Sequence, residues 1–399
     1  LYTSFNESIL RTTNFTEGNL FHLDDIAKFM PIHLLFPFQN ASRKHLFSAC
    51  LLCEKTVWFL SHAAWYGFCY IQSTETTGGA FMETKITEML GSKYPILCGG
   101  LYGLSEAELV SAVCNAGGFA FLSSNHLGSK EALREQIRRT KKLTNRPFGV
   151  NISLLAESKT NFTHNYIDVI VEEKVPAVET AGNNPAEYIR RLKEANVTVL
   201  HKAVTARHAK KAEAAGADGV ILVGYAAGGH PGMEEVGLFV NLPETVRAVK
   251  IPVIAAGGIC TGEGMAAAFL LGAEGILMGT AFAMTEESPY HPNIKNKILQ
   301  ASATDTVVLF KSVRNAFRCL KNDFAFEIME LEKNNAPAEV IFDYLKKSHA
   351  RNGYREGDAD HILIPIGQAS GLIDRIVSCK ELIDTIIIQY EACLKKLKP

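Results

Sequence analysis

The chain has 399 residues, 47% of them hydrophobic and 21% charged, a composition that supplies a large core and excludes disorder along its whole length. A formal net charge of −1 lacks the clustered Lys and Arg excess on which phosphate-backbone binding depends, so nucleic acid is not an expected partner. Nine cysteines, an odd number without regular spacing, fit reduced thiols and a cytoplasmic location better than a secreted disulfide framework.

In chain order, residues 1–81 mix aromatics, Cys, His and Thr with no sustained period of 2 or 3.6, and are expected to be a poorly structured N-terminal extension, disordered or non-native, with Met82 as the natural start. Cys50 and Cys53 form a C-x-x-C there, but no second pair or βαβ context accompanies them. Residues 45–71 are apolar enough to raise the question of a membrane anchor, yet Glu54, Lys55 and His62 interrupt them, so no membrane association is expected. N-x-S/T triplets stand at Asn14, Asn40, Asn151, Asn161 and Asn196, but Asn151 falls inside an expected buried strand where a glycan has no room.

Met82–Gly91 is a short amphipathic lead-in, and from residue 94 short apolar runs alternate with helical stretches. The runs predict strands over Tyr94–Gly100, Gly118–Ser124, Pro147–Leu155, Pro176–Gly182, Thr198–Val204, Asp218–Gly224, Pro252–Gly258 and Gly275–Thr280. Between them helices are expected over Ser105–Ala116, Lys130–Leu143, Pro185–Ala195, Ala206–Ala215, Pro243–Val249 and Gly262–Leu271. Pro185 and Pro243 would start theirs, Ser105 and Glu108 have capping-box spacing, and Gly216 and Gly272 would end theirs. Eight such units predict an α/β fold, a (β/α)8 TIM barrel over residues 82–285, with an open doubly wound sheet as the alternative. Residues 286–399 are expected to form a small C-terminal helical subdomain and closing helix, with helices over Asn293–Ala301, Ser312–Leu320, Ala338–Lys347, Gln368–Ile376 and Lys380–Leu397.

The reactive face of a barrel is built from the loops after its strands. Glycines crowd there: Gly99-Gly100 after the first strand, Gly228-Gly229-His230-Pro231-Gly232 after the sixth, Gly257-Gly258 after the seventh, and Gly279-Thr280 after the eighth. Glycine lets backbone N–H groups approach an anion closely, so Gly257, Gly258, Gly279 and Thr280 read as a phosphate cradle, or as plain tight turns. His230, set among glycines at the rim, can take or give a proton near neutral pH. His201 and Lys202 end the fifth strand, where Lys202 could offset ligand charge. No H-E-x-x-H, G-x-S-x-G or P-loop occurs, and no metal is expected.

From Met82 onward the chain resembles the nitronate monooxygenase (2-nitropropane dioxygenase) family, which also contains flavin-dependent enoyl-acyl-carrier-protein reductases. The resemblance rests on YPILCGG, AVCNAGGFAFLSS, RPFGVNISLL, GYAAGGHPG, IPVIAAGGICTGEGMAAAFLLGAEGILMGT, HPNIKNKILQASATDT and GQASGLI. It implies FMN in the barrel mouth, contacted by Asn151 and Lys202, bordered by Gly228 and Gly229, with its phosphate held by Gly258 and by Leu277, Met278, Gly279 and Thr280. It makes His230 the catalytic histidine. Members often carry Gln where this chain has Cys98, Met at Leu101, Gln or Glu at Val223, and Glu at Ala226. The implied activity is oxidation of an alkyl nitronate or nitroalkane with O2 to a carbonyl compound and nitrite. NAD(P)H-dependent reduction of enoyl thioesters or quinones is the alternative, and a barrel that binds a phosphorylated ligand without redox chemistry is an alternative of another class. A homodimer is a candidate assembly.

Overall fold

The computed structural model describes residues 82–154, 162–346 and 350–397. The expected extension, the apolar stretch 45–71, the Cys50–Cys53 motif, Asn14, Asn40 and Asn161 lie outside the described residues. Strands buried on both faces are continuous apolar runs rather than alternating ones, which is why they stand out in this sequence. They are β1 (Ile96–Cys98), β2 (Phe119–Ser123), β3 (Gly149–Leu154), β4 (Ala177–Gly182), β5 (Thr198–Ala203), β6 (Gly219–Val223), β7 (Val253–Ala256) and β8 (Gly275–Met278). Neighbours pair in parallel and β8 returns to β1, so these eight strands close a barrel, and the open sheet is excluded. Pro147, Pro176 and Pro252, which cannot donate to a ladder, stand just outside β3, β4 and β7 and trim the expected strands.

The helices are α1 (Lys85–Leu90), α2 (Ala107–Asn115), α3 (Lys130–Leu143), α4 (Thr163–Glu172), α5 (Ala186–Glu194), α6 (Ala206–Ala214), α7 (Leu238–Ala248) and α8 (Gly262–Leu270). Three details depart from expectation. Helix α4 was not anticipated. Ser105 does not cap α2; its hydroxyl donates to the Gly99 carbonyl and accepts from the Leu101 amide, both at 2.9 Å, and so braces the end of β1. Pro243 lies inside α7 rather than at its start, where its missing N–H falls opposite the turn of the exposed Phe239 and Val240.

Strand alternation splits the core into two layers. Leu97, Phe119, Phe121, Leu200, Ile254 and Leu277 fill the barrel, joined by Ile86 and Leu90 of α1. Since α1 precedes β1, and Ile86 lies against Gly275 at the start of β8, that short helix plugs the N-terminal end. The opposite faces of the strands pack under the helices.

After β8 come α9 (Thr280–Ala283), α10 (Pro292–Leu299), β9 (Thr306–Leu309), β10 (Phe317–Leu320), α11 (Asp323–Lys333), α12 (Ala338–Leu345), α13 (Ala350–Glu356), a 3-10 turn over Gln368–Leu372, and α14 (Cys379–Leu397). The expected helix over Ser312–Leu320 is instead a turn and strand, with β9 and β10 pairing antiparallel. Phe310 and Arg314 adopt φ of 61° and 57°, which a right-handed helix cannot contain. Helix α14 returns to the barrel, where Ile383 and Ile386 join the outer core layer. Gly262 permits that approach, because a Cβ there would lie 2.3 Å from the Tyr390 nitrogen. No helix among the described residues is long and apolar enough to cross a membrane.

Candidate active site

The C-terminal strand ends open into one cavity of about 920 Å³. Gly99, Gly100, Asn151, Lys202, Gly228, Gly229, His230, Gly257, Gly258, Leu277, Gly279 and Thr280 all line it, whereas Met278 does not. Alternation along β8 explains the difference: Leu277 points into the barrel, and Met278 points outward into the layer beneath the helices.

Two turns form the far wall. Gly257 and Gly258 both take left-handed φ, 93° and 86°, after β7. Next to them Gly279 leads into α9, and the Thr280 hydroxyl accepts from the Gly367 amide at 2.9 Å, which leaves its own proton free to donate into the cavity. Gly257 has no room for a side chain, since a Cβ would lie 2.8 Å from the Gly224 carbonyl oxygen and 3.0 Å from the Ala227 Cβ. The turns after β6 and β7 therefore interlock through backbone.

The loop carrying His230 is held from the far end of the chain. Gly229 and Arg318 exchange backbone hydrogen bonds of 2.9 and 2.6 Å, a one-residue bridge between the loop and β10. The buried Arg318 guanidinium donates to the Tyr225 carbonyl and to the Thr306 hydroxyl, and stacks 4.9 Å from the Tyr225 ring centroid. The Gln368 amide donates to the Ala226 carbonyl at 2.9 Å. His230 itself meets the Phe317 ring edge-on, centroids 5.0 Å apart, and hydrogen-bonds the Asn315 side chain. The residue as a whole is exposed, lining the cavity, with its ring set against Phe317 and Asn315. That crowding pushes the imidazole below its ordinary 6.5; the Lys202 cation pushes the same way, and the Asn315 bond opposes them. The contribution of β10 and the turn before it is not visible in the sequence, where Ser312–Leu320 reads as helix.

A second polar group lies lower. Lys202 reaches Glu179 at 2.8 Å, and Asn151 donates to the same Glu179 oxygen at 2.6 Å. Glu179 lies inside a strand rather than at its end, and its signal in the sequence is a carboxylate within the apolar run Val175–Ala181. His201 also borders the cavity, but it is buried with Nδ1 2.9 Å from the Thr180 hydroxyl, and burial, reinforced by His208, pushes it down to about 4. Cys98 is fully buried under Ser105, and burial pushes its thiol far up, so it supplies no thiolate to the cavity.

The residues fit a flat, anionic cofactor. Turns rich in glycine present backbone N–H groups for a phosphate, glycines on two further strand ends leave room for a ring system, and the cavity is the size of a cofactor pocket. A family model described as nitronate monooxygenase matches residues 83–389. Over 342 residues the chain is 33% identical to a (3aS,4S,5R,7aS)-5-hydroxy-7a-methyl-1-oxo-octahydro-1H-indene-4-carboxyl-CoA dehydrogenase of Rhodococcus jostii, covering 77% of this chain and 95% of that one. It is 30% identical over 356 residues to a probable nitronate monooxygenase of Staphylococcus saprophyticus, covering 79% and 99%. Among solved structures, FabK from Thermotoga maritima gives a TM-score of 0.75 at 39% identity, covering 79% and 99% of the two chains. A nitroalkane oxidase from Streptomyces ansochromogenes gives 0.68 at 26% identity, covering 78% and 99%. Relatives of this kind set aside the reading as a non-redox binding barrel. The chain belongs to the nitronate monooxygenase family of flavin-dependent oxidoreductases.

Proposed function

We propose that the protein is an FMN-dependent nitronate monooxygenase that oxidises alkyl nitronates with O2 to a carbonyl compound and nitrite, with His230 accepting the proton when the substrate arrives as neutral nitroalkane. The observation that carries this reading is that the Gly257–Gly258 and Gly279–Thr280 turns share one cavity with the His230 imidazole. Backbone N–H groups of Gly258 and Gly279, with the Thr280 hydroxyl, would hold the FMN phosphate. Gly99, Gly100, Gly228 and Gly229 would border the ring, and Asn151 and Lys202 would meet it from the floor. Bound FMN supplies the electron transfer between substrate and O2. His230, held below its ordinary value, is a free base at neutral pH and so can accept the proton next to a nitro group. The cysteines Cys98, Cys114, Cys260, Cys319 and Cys379 are buried and unpaired, which supports a cytoplasmic location.

Purified protein is expected to show flavin absorbance, to release FMN on denaturation, and to produce nitrite from propyl nitronate. His230→Asn is expected to keep the flavin spectrum and the nitronate activity while kcat/KM for nitroethane falls about 100-fold or more. Undiminished nitroethane turnover in that variant would remove the base assignment. Because only the neutral ring accepts a proton, kcat/KM for nitroethane should rise with pH through an inflection below 6.5 and be flat by neutral pH.

NAD(P)H-dependent reduction of enoyl thioesters or quinones is the second reading. It is favoured by the greater likeness to FabK and to the carboxyl-CoA dehydrogenase than to the nitroalkane oxidase and the probable monooxygenase. Anaerobic mixing separates the two: bleaching of the flavin by NADPH selects the reductase, and bleaching by propyl nitronate alone selects the monooxygenase.

A further inference from the structure

Beneath the cavity floor, β4 carries the carboxylate of Glu179. Alternation on β4 sends Val178 outward and Ala177 and Glu179 into the barrel. Glu179 is completely buried and does not itself reach the cavity. Its Oε1 accepts from Asn151 Nδ2 at 2.6 Å, from Lys202 Nζ at 2.8 Å and from the Gly100 amide at 3.2 Å. Its Oε2 has no hydrogen-bond partner among the described residues. The three donors all line the cavity, just after β1 and on β3 and β5. Gly100 can approach only as glycine, since a Cβ would fall 2.2 Å from that of Asn151.

A carboxylate stripped of water on one oxygen is a costly group to keep, and a leucine would pack there without that penalty. What the carboxylate does, and an apolar side chain could not, is gather three donors and cancel a charge. Lys202 has no other ion-pair partner among the described residues. Inside a protein, charges are screened far less than at the surface, so an unbalanced ammonium here would be felt across the cavity. It is already felt at His230, which Lys202 pushes down.

We propose that Glu179 is a positioning residue, which pins Asn151 and Lys202 to the cavity floor through one oxygen and offsets the Lys202 charge, so that the cofactor and His230 above meet a weaker positive field than a bare ammonium would give. This rests on the flavin reading given above. Other titratable or charged side chains bordering the cavity are Tyr102, His201, His208, Lys211, Arg314 and Tyr354, and none is altered in the variants below.

The test compares holoenzymes of the wild type, Glu179→Gln and Lys202→Gln by two readouts: the midpoint potential of the bound flavin, and the pH at which kcat/KM for nitroethane reaches half its plateau. Glu179→Gln keeps acceptors for Asn151 and Gly100 but leaves Lys202 unbalanced. Positive charge favours the electron-rich reduced cofactor and disfavours imidazolium, so its potential should move positive and the pH midpoint should fall. Lys202→Gln leaves Glu179 unbalanced and should move both quantities the other way. Unchanged values in folded, yellow Glu179→Gln would overturn the proposal, as would shifts of the same sign in both variants, which loosened packing alone would produce. Should Glu179→Gln fail to fold, Lys202→Gln decides: a negative shift with a higher pH midpoint supports the proposal, and no shift overturns it. A colourless wild-type protein would instead defeat the flavin reading on which it stands.

Discussion

The two ends of the barrel interior are built on opposite principles. The floor of the barrel, below the level of Asn151 and Lys202, is apolar and self-contained: Leu97, Phe119, Phe121, Leu200 and Ile254 pack on one another and on Ile86 and Leu90 of the adjoining α1. The mouth is lined by glycines, a buried Asn151–Glu179–Lys202 cluster and a histidine, groups that add little burial and carry desolvation costs. It is also braced from far along the chain, by Arg318, Gly367 and Gln368. Stability and chemistry thus sit in separate layers of one barrel, and a change in either layer should be recognisable by which property it disturbs.

The sharpest break of that division comes at the floor. Phe119 is fully buried, edge-on to Phe121 with ring centroids 5.2 Å apart. Phe119→Ala removes that ring and leaves a cavity that neighbouring strands cannot collapse into, at a cost of about 3–5 kcal/mol. Urea denaturation should show this loss, while protein that remains folded keeps the wild-type KM for nitronate. A raised KM in the folded fraction would mean that floor and mouth are not independent.

The sequence was legible in proportion to how locally each feature is determined. Seven of the strands β1 to β8 could be read because each is a short apolar run bounded by proline or glycine, β5 being the exception, and the glycine turns could be read because they follow such runs. The helix expected over Ser312–Leu320 became a turn and β10, because its conformation is set by pairing with β9 and by the Gly229 bridge, partners outside any local window. Pro243 lay within α7 rather than at its start, since the exposed first turn tolerates the lost bond. Met278 was grouped with the site from its position in Leu277–Thr280, although strict alternation points it away. Glu179 was overlooked because its importance depends on Asn151 and Lys202, which only the strand register brings beside it.

Acid should separate the two layers more gently. His201 is 6% exposed and its folded value is about 4, against 6.5 unfolded. Between those values the unfolded chain binds a proton that the folded chain does not, so stability rises with pH across this window. The protein is thus fully favoured above 6.5 and loses about 3 kcal/mol as pH falls to 4. The apolar floor contributes no such dependence. His201→Gln should flatten this part of the stability–pH curve, and a curve unchanged by that substitution would place the acid sensitivity elsewhere.

The smallest effect tests the brace. Arg318 ties the Tyr225 carbonyl to the Thr306 hydroxyl, and its backbone separately bridges Gly229. Arg318→Ala removes the side-chain bonds but not the bridge, and should cost about 2 kcal/mol, because hydrogen bonds to a charged group are worth more than neutral ones. With Tyr225 released, the loop that carries His230 should sample more positions, and if His230 is the proposed base, its misplacement by a fraction of an ångström should lower kcat/KM for nitroethane roughly 10-fold. Flavin affinity should hold, since the hydrogen bonds of the Arg318 side chain go to Tyr225 and Thr306 and not to the Gly257–Gly258 and Gly279–Thr280 turns. Arg318→Lys should fail to restore the rate, because an ammonium lacks the planar fork that spans both acceptors. A variant in which flavin affinity and base function fall together would show that the mouth is one cooperative unit, with the tail holding all of it rather than the His230 loop alone.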